Sequence, residues 1–474
     1  MASVRVLRLG DMIFLQKGSV TRRLIHAVIS IALRLFFRRI ETSRVELVPM
    51  DGPVVFVLNH PNGLIDPALV FCSLPRRVSF LAKSTLFRLP VISLLLRKVE
   101  ALPLYRRADP GEDMTQNRKT FEACHELLRQ GRCIALFPEG LSHSSTKLMP
   151  IKTGAARIAL GAISVGGESV EDKAFALKIV PAGLYYTSKT SFRSEALIRF
   201  GEHIKVQPVE LDEQGEPPRE AVKQLSRQIE ASLRAVTLNV ESDEALEEVA
   251  KAEQLFSSIY ETINIRQSLA EEFELRHRFA ERMATGAAVS AAQVYVMQER
   301  IERYEAELGE LGITAENLSL VSHSRWYVFR HFLLRSMLLL MLLPLAIIGA
   351  VLHFPAYFFA NALARVYGSH GVDDIVSTVK ILAAIVLMPL TWLAVSFFVF
   401  VMWNWRAALV ALPVTIVCGY VAMRFVEEVV DMKGWYKAVL VLLRRRRLFL
   451  RLLLERRRLH NEIRRLGIEA GESI

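Results

Sequence analysis

Between residues 46 and 210 the chain alternates short apolar runs with segments of helical period. Runs at 54–58, 133–137, 176–180 and 197–200 are continuous and apolar, as buried strands are. Segments 117–130 and 153–163 repeat apolar residues every three or four positions and predict helices. Alternating strands and helices imply an α/β fold, a mixed sheet flanked by helices. Chemistry in such a fold belongs at strand ends and in the loops that follow them. Ahead of it, residues 22–39 predict a helix with Arg23, His26, Ser30, Arg34 and Arg38 on one face. Leu24, Ile25, Val28, Ile29, Ile31, Leu35 and Phe36 cover the rest. Such a helix can lie in a membrane interface with its arginines toward phosphates, or pack on a core.

Gly215-Glu216-Pro217-Pro218 ends the alternation. Residues 219–325 are rich in Ala, Glu, Leu and Arg, nearly free of proline, and predict several helices that form a cap or partner surface. Three long apolar stretches follow at 336–352, 381–403 and 407–423, each with one proline (Pro344, Pro389, Pro413). A helix of about 20 apolar residues spans a bilayer. The organisation expected is an interfacial segment over 1–45, a catalytic domain over 46–214, and a charged helical region over 215–325. Membrane segments over 326–426 and a basic helical tail over 427–474 complete it. Arg325, Arg330 and Arg335 precede the membrane section and the arginine-rich tail follows it, which puts both ends in the cytoplasm and calls for an even number of crossings. The first stretch, interrupted by Pro344 and followed by His353 and Pro355, is expected to be re-entrant, leaving two crossings.

Charge sharpens this picture. The net charge is +11, with Arg444–Arg447, Arg451 and Arg456–Arg458 crowded into the tail. Behind membrane segments, and interleaved with Leu448, Phe449, Leu450 and Leu452, these arginines suit anionic lipid head groups rather than nucleic acid. Cys72, Cys124, Cys133 and Cys418 have neither metal-ligand spacing nor the pattern of a disulfide framework, so a reducing compartment is expected. No cleavable signal peptide is evident at the N-terminus.

The candidate chemistry sits at the strand ends. Asn59-His60-Pro61-Asn62-Gly63-Leu64-Ile65-Asp66 closes the first run. A neutral imidazole is the natural general base near pH 7, and a carboxylate six positions on can orient it if Pro61, Asn62 and Gly63 let the segment bend. Asp66 could equally be a helix N-cap ahead of Pro67. Pro103-Leu104-Tyr105-Arg106-Arg107 supplies guanidinium for phosphate, with Arg106 expected to point inward. Phe137-Pro138-Glu139-Gly140 ends another strand, where Glu139 can hold substrate hydroxyls or the turn itself. His143 is a rival base for which no acidic sequence neighbour is identified. Lys152-Thr153-Gly154 precedes a helix and suits a phosphate. Val180-Pro181 ends the third strand, with Pro181 shaping the pocket wall.

Together these blocks resemble the glycerolipid acyltransferase family: Asn59-His60…Asp66, Pro103…Arg106, Phe137-Pro138-Glu139-Gly140 and Val180-Pro181, in that order. They cover about 46–210. The family's common form has four residues between His and Asp, and this chain has five, which is similar to the branch of glycerol-3-phosphate and dihydroxyacetone-phosphate acyltransferases. The resemblance implies His60 as base and Asp66 as its orienter. Arg106, Glu139 and Gly140, with Lys152, Asn59 and Pro181, would line the substrate site. It implies no metal, no bound cofactor and no covalent acyl-enzyme. The co-substrate would be acyl-CoA or acyl-carrier protein, and the acceptor the sn-1 hydroxyl of glycerol 3-phosphate or dihydroxyacetone phosphate. Acylation of lysophosphatidate at sn-2 is the alternative, and a non-catalytic membrane scaffold the alternative of another class. The expected location is integral in a bacterial inner membrane or endoplasmic reticulum, with the catalytic domain facing the cytoplasm.

Overall fold

The structure, a computed structural model, describes residues 4–6, 19–88, 90–106, 109, 111–143, 145, 147–165, 176–238, 269–270, 273–274, 277, 299–300, 303–304, 306–312, 325–368, 373–445, 447–455 and 458. The chain divides into two compact units. One is Met1–Asn239 with Ser268–Phe273 and Leu363–Leu382; the other is Val240–Gln267, Glu274–Ala362 and Ala383–Ile474.

The first unit is built on a mixed sheet. Its strands are β1 (Val4–Val6), β2 (Phe37–Ser43), β3 (Val54–Leu58), β4 (Val78–Lys83), β5 (Leu102–Leu104), β6 (Cys133–Leu136), β7 (Lys178–Tyr186), β8 (Ser194–Phe200) and β9 (Ile204–Lys205). They lie in the order β1-β2-β8-β7-β3-β6-β4-β5, with β9 on β7. The segment β7-β3-β6-β4-β5 is parallel, and β8 runs antiparallel to β7. Successive side chains of a strand point to opposite faces. Val54, Phe56 and Leu58 therefore join one core, packed under α1 (Val20–Phe36) and α2 (Ile65–Ser73). Val55 and Val57 join the other, under α4 (Asn117–Arg129), α5 (Gly154–Val165) and α6 (Arg219–Arg234). The short α3 (Pro90–Lys98) lies between β4 and β5.

Several sequence expectations are corrected here. The strand expected over 176–180 does not stop at Pro181 but continues through it to Tyr186. Pairing with β8 begins only at Ala182↔Phe200, so the residue that lacks an N–H stands where that ladder ends, and its carbonyl accepts from Gly201 N. Residues 37–43, expected to be partly helical, form β2, paired in parallel with β8. Residues 219–234 do not open a separate helical region. Val222, Leu225, Ile229 and Leu233 of α6 are buried on the sheet.

Helix α1 is also turned over. Its buried stripe is the polar one: Arg22 is 1% exposed and His26 2%, and Ser30 is fully buried. Arg22 donates to the carbonyls of Val78 and Val99, and its guanidinium lies over Phe71. The outward stripe is apolar, with Val20 82% and Leu24 64% exposed, followed by Val28, Ile31 and Leu35. Arg38 leaves the helix altogether and pairs with Glu195 from β2. Of the face expected to be polar, His26 and Ser30 are buried, while Arg23 stays exposed and Arg34 half-buried; the arginine turned inward is Arg22, which was not placed on that face. Burial, with Arg22 alongside, pushes the His26 imidazole down to about 4. The unfolded chain takes up that proton near pH 6.5 and the folded chain resists it, so this contribution is complete above pH 6.5 and is lost as pH falls toward 4. It amounts to about 3 kcal/mol at most. Chemical denaturation of wild type and His26→Gln should show the variant losing less stability across that window.

The second unit carries long apolar helices. α7 (Arg325–Gly368) runs unbroken through Pro344 and Pro355, so the first apolar stretch is a continuous helix and not the re-entrant segment expected. α8 (Asp373–Met402) and α9 (Trp405–Arg444) are joined at Asn404, whose side chain caps α9 by accepting from Ala407 N. Leu333–Val366, Thr378–Met402 and Trp405–Val429 are each long and apolar enough to cross a bilayer. Arg335 pairs with Glu428, and Arg300 and Arg451 pair with Glu455 and Glu307. The last two pairs set the chain ahead of α7 beside the chain behind α9.

Candidate active site

The site residues gather at the carboxyl ends of β3, β6, β4 and β5. The loop after β3 turns at Gly63, which has φ +42°, and delivers Asp66 in the first turn of α2. That helix starts at Ile65, so Asp66 lies inside it and is not its cap. Asp66 is fully buried. Its Oδ2 accepts from His60 Nδ1 at 2.8 Å and from Asn62 N at 2.7 Å, and its Oδ1 accepts from Tyr186 OH at 2.6 Å. An ionised carboxylate on Nδ1 assigns the ring proton to that nitrogen and leaves Nε2 as the basic one. The ring of His60 stacks on Phe137, 4.2 Å between centroids and 17° between planes.

Glu139 is buried and serves the frame of the site. Its Oε1 accepts from His60 N at 2.8 Å, its Oε2 from Met149 N at 2.8 Å, and His143 Nε2 lies on the same Oε2. His143 thus has an acidic partner four residues back, a neighbour that the sequence reading overlooked. Gly140, at φ +78°, lets the chain turn after it. Lys152 N donates to Pro138 O, and the aliphatic part of the Lys152 side chain runs past Gly140, which an added Cβ would meet at 3.5 Å. Backbone N–H groups at the His60 and Gly140 turns are natural oxyanion donors on sequence grounds, but both are committed: His60 N to Glu139 and Gly140 N to Phe137 O.

Arg106 follows β5 and is held from two sides. Nε and Nη2 grip Asp109 at 2.9 and 3.1 Å, and Nη1 donates to Gly140 O at 2.6 Å. Lys83, the last residue of β4, binds the same carboxylate at 2.9 Å. The Arg106 guanidinium bonded to it, helped by Lys83, holds the Asp109 carboxyl below its ordinary value against the cost of burial. Two cations share one buried anion, leaving net positive charge beside Gly140 and Lys152. Lys83, Asp109 and Tyr186 were not legible as site residues in the sequence. Arg107 lies outside the described residues.

Two predicted site residues are placed otherwise. Asn59 spends its amide on the backbone of Leu184: Nδ2 donates to Leu184 O at 3.1 Å and Oδ1 accepts from Leu184 N at 2.7 Å. It clips the end of β3 to β7. Pro181 is buried within the sheet opposite Val57.

Comparison with known proteins finds relatives for both parts of the chain. An acyltransferase family model matches residues 39–185, and the model of the glycerol-3-phosphate acyltransferase 2 C-terminal domain matches 253–472. The second match joins the helical region, the apolar helices and the basic tail, read separately from the sequence, into one recognised domain. Glycerol-3-phosphate O-acyltransferase 2 of Saccharomyces cerevisiae is 25% identical, over 59% of this chain and 38% of that protein. Glycerol-3-phosphate O-acyltransferase 1 of the same yeast is 23% identical, over 80% of this chain and 61% of that protein. The chain therefore spans between two fifths and three fifths of the length of these relatives. A crystal structure of the 1-acyl-sn-glycerophosphate acyltransferase from Thermotoga maritima aligns at 17% identity and a TM-score of 0.32, over 48% of this chain and 85% of that one. With its His–Asp pair, its Phe-Pro-Glu-Gly turn and both family models in sequence order, the chain belongs to the glycerolipid acyltransferase family.

Proposed function

We propose that the protein moves a fatty acyl group from a thioester of coenzyme A or acyl-carrier protein to the sn-1 hydroxyl of glycerol 3-phosphate or dihydroxyacetone phosphate. The observation that carries this reading is the 2.8 Å bond from His60 Nδ1 to the buried Asp66, which leaves Nε2 as a base at the carboxyl end of β3. The acceptor hydroxyl gives its proton to Nε2 as its oxygen attacks the thioester carbonyl. The C–O bond forms, the C–S bond breaks, and the thiolate takes the proton back from His60. General base action supplies about 10² to 10⁴ in rate, so positioning must supply the rest. The phosphate suits the positive end of the site, where Arg106 and Lys152 lie against Gly140 and Lys83 joins Arg106 on Asp109. A phosphate-bearing acceptor is what distinguishes such a site from one that acylates a neutral alcohol.

The reading includes a membrane location, with the catalytic unit on the cytoplasmic face. The apolar helices support the membrane location, and Arg330 and Arg335 ahead of them favour the cytoplasmic side for the catalytic unit. The outward stripe of α1 then seats in the interface, where the acyl chain partitions.

The test is an acceptor panel. Purified full-length protein in lipid nanodiscs, supplied with radiolabelled acyl-CoA, is offered glycerol 3-phosphate, dihydroxyacetone phosphate and lysophosphatidate separately. Product from the first or second acceptor, and little from the third, is expected. Turnover of lysophosphatidate alone would replace the sn-1 assignment by sn-2. Failure with every acceptor and with both acyl-CoA and acyl-carrier protein would favour a scaffold.

A further inference from the structure

His60 and Asn62 account for one side of the buried Asp66 carboxylate. Its other oxygen, Oδ1, is taken by Tyr186 at 2.6 Å, a length typical of a hydroxyl donating to an anion. Tyr186 is the last residue of β7, five residues beyond Pro181, and pairs with Ala196 of β8. Its ring is buried and stacks on Phe37, the first residue of β2, at 5.6 Å and 27°. The hydroxyl thus donates to Asp66 from a ring fixed by packing.

We propose that Tyr186 is a positioning residue for the acyl transfer, locking Asp66 in the one rotation that presents Oδ2 to His60 Nδ1. This rests on the proposed function. A carboxylate free to rotate about Cβ–Cγ would exchange its two oxygens. With Tyr186 on Oδ1 and Asn62 N on Oδ2, each oxygen has its own donor and the plane is set. The imidazole then meets a fixed partner and its Nε2 a fixed direction. Burial and the adjacent Asp66 charge push the Tyr186 phenol well above its ordinary value, so it stays a donor throughout the working pH range.

The hydroxyl also draws charge from the carboxylate. Without it, more of that charge faces the imidazole, which favours the imidazolium. Tyr186→Phe keeps the ring and removes only the hydroxyl. The expected result is a fall in kcat on the order of ten- to a hundredfold, since small misplacements of a catalytic group have that effect. The KM for the phosphate acceptor stays within about threefold, because an interaction that acts in the transition state changes kcat and not ground-state binding. The acidic limb of the kcat/KM profile moves up. Phe37→Leu is the control for packing. It removes the stacking partner without touching the hydroxyl, so it should lower the melting temperature and leave the acidic limb unmoved. His60→Ala is run beside both. If His60→Ala keeps its activity, the proposed function fails. If His60→Ala is inactive while Tyr186→Phe has wild-type kcat, or an acidic limb that stays put or moves down, the positioning role alone is overturned.

Discussion

Replacing His60 by alanine should lower kcat/KM for acyl transfer by about 10³-fold and leave the fold intact. The size follows from what a positioned base contributes, about 10² to 10⁴ in rate. The fold survives because the bond that His60 makes to the frame is from its backbone N–H to Glu139, and alanine keeps it. The side chain is 17% exposed and carries one hydrogen bond in this structure, so its loss removes only one of the three donors on Asp66. Initial rates with the preferred acceptor, and a thermal melt of the same preparation, measure both halves. A purified variant within tenfold of wild type would remove His60 from the chemistry.

The second large effect belongs to Glu139. Its two oxygens hold three donors from two loops: His60 N, Met149 N and the His143 ring. Glu139→Ala strands all three near the bottom of the site. A buried donor left unsatisfied costs about 1 to 3 kcal/mol. With water reaching part of the gap, a total of about 3 kcal/mol is expected, a fall in melting temperature of roughly 6 to 12 °C for a unit of this size. Activity falls with it, because the loop that carries His60 loses its tie to the loop that carries Gly140. Glu139→Gln, which keeps an acceptor oxygen, should lose less of both. A melting temperature within about 2 °C of wild type for Glu139→Ala would mean that the two loops are held by something else.

The strands that carry the site were readable because they are short, continuous and apolar: 54–58 and 133–137 match β3 and β6 to within one residue. The His-x5-Asp spacing was readable because Gly63 allows the bend that it requires. What escaped has physical reasons. Proline was taken as the end of a strand, yet it costs little where a ladder already stops, and Tyr186 was lost with the five residues beyond it. Lys83 and Asp109 are ordinary surface types 26 positions apart, and only the fold makes them partners. The orientation of α1 escaped because a two-faced helix does not say which face meets protein when a second apolar phase competes for the other. Arg22 can be buried because the carbonyls of Val78 and Val99 and the ring of Phe71 receive it, and none of these is near it in sequence.

The strand order has a bearing on how such a scaffold can change over time. The base stands on β3, and the cations stand two and three strands away, on β4 and after β5. On the proposed reading, and at about 4.8 Å per strand, reactivity and recognition then fall to different elements, roughly 10 to 14 Å apart. Substitutions in the β4 and β5 loops can retune which alcohol is received without disturbing the hydrogen bonds that make the imidazole basic. Descendants of one ancestor can thus come to acylate different partners while inheriting the same proton-transfer apparatus.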